Sequence, residues 1–320
     1  MEPENSREEK ANLEIGNQIL SSQVIPPRRG VQGLQTAWKV FLFLFLTMQI
    51  GPAAVFAIGS GLLGRQEGPY TAQFLLFLEA GNLAIVLALM GLLSLIEKRP
   101  FSAYGLPVRQ AFRSNFGIGF LFGLAEASVL IGLIQVFGGY SFGSMALHGS
   151  EMFQWGLLHL VLFVFVGLYE ESLFRGYPQF SLSMLIGFWP TAIVLSCAFG
   201  LVHLLNHGEN WVGATSVILV GLLFAFTLKR SGNLWYAVGL HAGFDWAQSF
   251  LYSVPDSGEL LNGHLSNAVL RGPDWLTGGS VGPEASVFCF LTMGLQFLVV
   301  LWIFPAKKNE DLVQNTSLQS

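Results

Sequence analysis

Residues 153–175 read FQWGLLHLVLFVFVGLYEESLFR. From Phe153 to Tyr169 no residue is charged, and Gln154 and His159 are the only polar interruptions. Then come Glu170, Glu171 and, four residues on, Arg175. An ionisable group at membrane depth costs about 2.5–3.5 kcal/mol even on lenient insertion scales, so its presence there signals function. Two later apolar runs carry polar pairs at helical spacing, Phe199 with His203 and His241 with Asp245. Three helices that each bring such groups into lipid imply one polar site inside a bundle.

Composition agrees. The chain is 52% hydrophobic and 11% charged, with a mean hydropathy of +0.55. Soluble domains carry about 25% charged residues, so an ordinary soluble fold is excluded. Stretches near the roughly 20 residues needed to cross a bilayer occur at 40–63, 71–96, 114–137, 153–177, 188–205, 211–228, 234–252 and 285–304. The expected fold is an all-α membrane protein, a bundle of about eight transmembrane helices with a polar site inside. Its membrane domain covers 38–305. Residues 1–37 are polar, contain Pro26 and Pro27, and read as a disordered tail; residues 306–320 form a second polar tail.

Basic residues test the count. Arg7, Lys10, Arg28, Arg29 and Lys39 belong with the first span. Lys98, Arg99, Arg109 and Arg113 lie between the second and third. Arg175 follows the fourth span, Lys229 and Arg230 the sixth, and Lys307 and Lys308 the eighth. Eight alternating spans put all of these on one side and leave Arg65 and Arg271 opposite. The positive-inside rule then places both termini in the cytoplasm, with the plasma membrane as the location if the chain is bacterial. A net charge of −4 gives no reason to expect nucleic acid. Cys197 and Cys289 fall within spans, where they suit apolar packing, and supply no disulfide framework.

On a helix, Glu171 and Arg175 share a face while Glu170 points about 100° away. An interfacial ion pair accounts for Glu171 with Arg175 but leaves Glu170 unexplained. A carboxylate pair near lipid raises at least one proton affinity, which is how a glutamate becomes a general base near neutral pH. His203 alone reads more readily as a satisfied core histidine. His241 and Asp245 read either as a carboxylate orienting an imidazole or as a structural hydrogen bond between helices, and Gly243 between them permits close helix approach. Glu79, Asn82 and Glu126 also lie inside apolar runs, where they line the same cavity or bond across helices. His159 reads as packing, and His148, His207 and His264 as loop histidines on the outer side.

Taken in order, Glu170-Glu171-x-x-x-Arg175, Phe199-x-x-x-His203 and His241-x-x-x-Asp245 resemble the three motifs of one membrane protease family. This is the CPBP family of intramembrane proteases, the type II CAAX prenyl endopeptidases and bacteriocin-processing enzymes. Phe174-Arg175-Gly176 and Gly239-Leu240-His241 strengthen the resemblance, which covers roughly residues 165–250. It implies an intramembrane endopeptidase in which Glu170 and His203 polarise water, Glu171 and Arg175 support them, and His241 with residue 245 stabilises the oxyanion. Where asparagine is common the chain has Asp245, which orients His241, donates as a protonated acid or ligates a metal; the first is the favoured expectation. The family is often described as metalloproteases, and Glu170, His203 and His241 would make a zinc ligand set, although no spacing here requires one.

The implied substrate is a peptide or membrane-anchored protein, a lipidated C-terminus among the options, cut near the cytoplasmic face within the lipid bilayer. A proton-coupled transporter and a non-catalytic scaffold with a protease-like fold are the alternatives. Simple alternation leaves a conflict of depth. Glu170 falls near the cytoplasmic end of its span, whereas His203 lies about 21 Å along the next. Either that span starts deeper, or residues 176–188 form a helix dipping into the bilayer, its path broken at Pro178 and Pro190.

Overall fold

The computed structural model describes residues 30–64, 70–206 and 208–305. Helix α1 (Val31–Phe45) runs through a π-helical turn at Leu46–Ile50 into α2 (Gly51–Leu63). Helices α3 (Ala72–Glu97), α4 (Ser114–Val136) and α5 (Ser150–Glu171) follow. A second π turn, Ser172–Gly176, leads to α6 (Tyr177–Ile186), then α7 (Phe188–His203) and α8 (Trp211–Ser231). Helix α9 (Trp235–Trp246) ends in a third π turn, Ala247–Leu251, and after the short α10 (Asp274–Thr277) comes α11 (Val287–Ile303). Sheet structure among the described residues is one antiparallel pair, β1 (Tyr140–Ser141) with β2 (Val269–Leu270), in register Tyr140 to Leu270.

The protein is an all-α membrane protein. Val31–Leu63, Ala72–Glu97, Ser114–Val136, Ser150–Ile186 and Trp211–Ser231 are long and apolar enough to cross a bilayer, and α7 and α11 are shorter apolar helices. All eight expected stretches fall on helices. Residues 1–29 and 306–320 of the two expected tails, together with Arg65 and His207, lie outside the described residues. Val31 to Ala37, assigned by polarity to the first tail, instead belong to α1. Once a helix has nucleated, each added residue gains a hydrogen bond, and buried Thr36 bonds back to Gln32 O at 3.0 Å.

Glycine sets the closest helix contact. A Cβ at Gly119 or Gly123 of α4 would run into the Tyr236 and Leu240 carbonyl oxygens of α9. Conversely, one at Gly239 or Gly243 would meet the Phe116 and Phe120 carbonyls. Two small-x-x-x-small faces therefore press backbone to backbone. The close approach expected at Gly243 is present, and it fixes the helix that carries His241 and Asp245.

Of the two options for the path after Arg175, the structure has the helix, over Tyr177–Ile186. Gly176 leaves helical geometry (φ −76°, ψ −123°) and Gly187 has φ 86°, so α6 is a separate segment packed on α1 and α7. Pro178 and Pro190 do not break the path. They sit in the first turns of α6 and α7, where a missing N–H costs no helical bond.

The two ends of the bundle differ. At the end bearing Lys98, Arg99, Arg109 and Arg113, the α3–α4 connection is bonded to the α8–α9 connection. Leu234 N donates to Gly105 O (2.8 Å), Trp235 Nε1 to Pro107 O (3.1 Å) and Asn233 Nδ2 to Gln110 Oε1 (3.0 Å). Glu97, its side chain 5% exposed, collects Lys39 Nζ (3.2 Å) and the Tyr104 and Tyr177 hydroxyls (3.2 and 3.0 Å) there. At the other end the long connection 252–286 folds back over the helices, where Asn262 accepts from Ala72 N and its carbonyl meets His159 Nε2 at 3.0 Å.

Candidate functional site

A cavity of about 880 Å³ opens within the bundle, and Glu170, His203, His241 and Asp245 all line it. Glu79 and Glu126 line it as well, the first of the two roles open to them in the sequence.

The ends of α5 and α9 build its centre. Glu170 and Glu171 close α5, and the π turn after them is a local widening of the kind found at functional sites. The two carboxylates diverge as their spacing requires. Glu170 faces the cavity, while Glu171 is fully buried behind it with Oε1 3.1 Å from Arg175 Nη1. Arg175 is itself 1% exposed; its guanidinium sits 4.4 Å from the Phe199 ring centre and 5.5 Å from that of Phe224. Gly221 makes room for it, since a Cβ there would crowd Nη2.

His241 stands among three carboxylates. Its Nε2 lies 3.3 Å from Asp245 Oδ2 and 3.6 Å from Glu170 Oε2, and its Nδ1 lies 3.5 Å from Glu171 Oε1. Its ring stacks on Phe224 at 5.1 Å. His203, at the C-terminus of α7, lies edge-on to Phe199 at 4.6 Å. Its Nδ1 is 2.8 Å from Phe199 O. A carbonyl only accepts, so Nδ1 carries the hydrogen and the neutral ring's Nε2 keeps its lone pair. Among the described residues His203 makes no ion pair; it shares the cavity with Glu170 rather than touching it.

Of the six residues singled out in the sequence, four face the cavity, and Glu171 and Arg175 form a buried pair behind it. Phe199, the other member of the second motif, is an aromatic floor for both Arg175 and His203. His159 is core, as expected, wedged among Trp155, Phe163 and Phe250. Cys197 and Cys289 are free, and Cys289 lines the cavity.

The connection 252–286 brings in residues that sequence reasoning missed. Asp256, Ser257, Glu259 and Glu284 all line the cavity. Ser249 Oγ donates to Asp256 Oδ2 (3.0 Å), Gln248 Nε2 to Glu284 Oε1 (3.0 Å) and Ser257 Oγ to Glu284 Oε2 (3.2 Å). Burial, reinforced by the nearby Asp245, raises the Asp256 carboxyl to about 8. Glu284 is raised as well, by burial first and then by Asp256. Only the acids at 256, 259 and 284, within a segment otherwise lacking periodicity, could have marked these positions.

Among the described residues, Asp245, Asp256 and Glu284 are the group whose oxygens lie within 4.8 Å of one another, close enough to share a cation. Glu170, His203 and His241 do not meet that spacing. Zinc holds its ligands at about 2.0–2.2 Å, which requires donor atoms within about 4.4 Å of each other, so Glu170, His203 and His241, the set a zinc ion would use, are not gathered at that spacing.

Fold and cavity together define a class, a helical membrane protein with carboxylates and imidazoles converging inside its bundle. Within it, residues 152–247 match the family model of the type II CAAX prenyl endopeptidase Rce1-like proteins. This is the family its motifs resemble, and the matched stretch contains every residue from Glu170 to Asp245. No curated protein and no solved structure matches the chain.

Proposed function

We propose that the chain is an intramembrane endopeptidase that hydrolyses a peptide bond of a peptide or membrane-anchored protein. The convergence of Glu170, His203, His241 and Asp245 on one cavity carries this reading, with the Rce1-like match in support. In the proposed step a water sits between Glu170 and the free Nε2 of His203. Glu170 takes its proton as the hydroxide oxygen bonds to the carbonyl carbon. The carbonyl π pair becomes an oxyanion that accepts a hydrogen bond from His241, which Asp245 and Phe224 hold in place. Collapse restores the carbonyl and breaks the C–N bond, and the proton on Glu170 passes to the leaving amine. No metal takes part in this sequence. Arg175 acts through Glu171 as a positioning residue.

The test is the purified chain assayed with a fluorogenic peptide library, lipidated and plain, beside Glu170→Gln. Cleavage by the parent and a loss of about 10²–10⁴ in the variant support the reading. Proton-coupled uptake into liposomes without cleavage would replace it with a carrier.

A further inference from the structure

Resting on the endopeptidase reading, one carboxyl outside the matched stretch has a place in that reaction. Glu79 is the only ionisable residue between Ala72 and Ile96. It stands about 10 Å along α3, where a charge in lipid marks a function. It lies outside residues 152–247, so the family match gives it no role. The packing of α3 aims it. A Cβ at Gly81 would press on Val55, so that side of α3 is turned to α2. Glu79, two residues earlier, points about 200° away from it. One turn apart, Leu75 and Glu79 both line the cavity that Glu170 and His241 line.

Glu79 is not occupied in bonding helices together. Its Oε2 is buried and, among the described residues, has no hydrogen-bond partner. The charged groups that act on it are Glu170, of like sign, and His241. Other carboxyls around the cavity are engaged. Asp245 faces His241, Asp256 accepts from Ser249, and Glu284 accepts from Gln248 and Ser257. Glu126, on α4, acts on Tyr236 and Cys289 instead, away from the reacting centre. Glu79 is the unengaged acceptor beside that centre.

A peptide laid along an intramembrane cavity brings backbone N–H groups that have left water. Each needs an acceptor, since an unpaired one is costly in lipid. A carboxyl accepts through at least one oxygen whether charged or protonated, and rotation about Cγ–Cδ offers either oxygen of Glu79 to the cavity. We infer that Glu79 is a substrate-binding residue: it accepts a backbone N–H of the peptide close to the scissile bond, and so holds the carbonyl in line for the water at Glu170.

The test removes the two partners of that bond in turn. Binding is read by fluorescence anisotropy on the full chain in nanodiscs, in a Glu170→Gln background, so that no turnover is needed. The probe is the library peptide that binds this chain most tightly, with its single N-methyl forms, each lacking one backbone N–H. Methylation at one position is expected to weaken binding about tenfold. Glu79→Leu, apolar and of similar size, is expected to weaken the unmethylated peptide by the same factor and to make that methylation silent. Glu79→Gln keeps a carbonyl acceptor and should restore most of the affinity. With Glu170 present, Glu79→Leu is expected to raise KM for the same peptide and to leave kcat in place.

A methylation profile that is the same with and without Glu79 overturns the inference, as does the absence of binding by any library peptide. So does a fall in kcat at unchanged KM, which would move Glu79 into the chemistry. Should Glu79→Leu not fold, Glu79→Ala carries the same comparison; failure of both to fold would make Glu79 structural and overturn the inference too. Coupling of Glu79 to one N–H in a parent that cleaves nothing would remove the endopeptidase reading and leave Glu79 as a peptide-binding residue.

Discussion

Asp245 and His241 face each other across one turn of α9, with carboxylate Oδ2 3.3 Å from imidazole Nε2. Glu171 approaches the opposite nitrogen at 3.5 Å without hydrogen-bonding it, and Phe224 stacks on the ring, so Asp245 and Phe224 set the orientation of the imidazole. This favours the orienting role for Asp245 among the three left open by the sequence. Asp245→Asn keeps the shape and removes the charge. Its kcat/KM on the best library peptide is expected to fall about 10–100-fold, the usual cost of losing a partner that orients a catalytic group. Parental activity in this variant would assign Asp245 to hydrogen-bond donation instead, since asparagine supplies an N–H.

Glu170 and Glu171 are neighbours in sequence with separate tasks. Glu171 neutralises Arg175, both side chains being essentially unexposed. Glu171→Gln leaves a buried guanidinium without its counter-charge and is expected to lower stability by about 3–5 kcal/mol, while retaining part of the activity where it folds. Glu170→Gln is expected to leave the denaturation midpoint in place and to reduce turnover by about 10²–10⁴. Equal losses of turnover with both proteins folded would end the distinction between base and support.

The seam between α4 and α9 holds His241 at its station. Gly239→Ala puts a methyl against the Phe116 carbonyl and is expected to cost about 1–3 kcal/mol and to reduce activity as α9 is pushed off α4 and His241 shifts relative to Glu170. Gly132→Ala, on the same α4 but facing open space, is the control and should be neutral or slightly stabilising. Equal thermal shifts in the two variants would show that the seam is not the cause.

What could be read in advance follows from how each feature writes itself into sequence. Apolar runs and i, i+4 pairs are local, so the helices and the facing of Glu170, Glu171, His241 and Asp245 were legible. The path after Arg175 was legible only as two options, because glycine and proline both interrupt helices. Gly176 and Gly187 took that role, while both prolines found tolerated places. Asp256 and Glu284 were not legible at all. They come from a connection turning at Gly258, Gly263, Gly272, Gly278, Gly279 and Gly282, all with positive φ, and such a chain carries no period to show which side chains point inward. That Glu170, His203 and His241 are not gathered at metal spacing was equally hidden, since distances between α5, α7 and α9 depend on packing.

Asp256 gives a dependence on pH whose sign is fixed by its surroundings. Burial, with Asp245 adding repulsion, raises its carboxyl from an ordinary value of 3.8 to about 8. Between those values the folded chain holds a proton that the unfolded chain releases, so folding binds protons and stability falls as pH rises. The contribution is complete below about pH 4 and lost once pH passes 8. The thermal midpoint of the parent at constant ionic strength is therefore expected to decline across that window. Asp256→Asn should flatten the profile, and because Glu284 is raised too, adding Glu284→Gln should flatten it further. A parent midpoint that climbs from pH 4 to 8, or a single variant that tracks the parent at every pH, would mean that Asp256 is ionised where it sits and that the connection 252–286 is held by charge rather than by a retained proton.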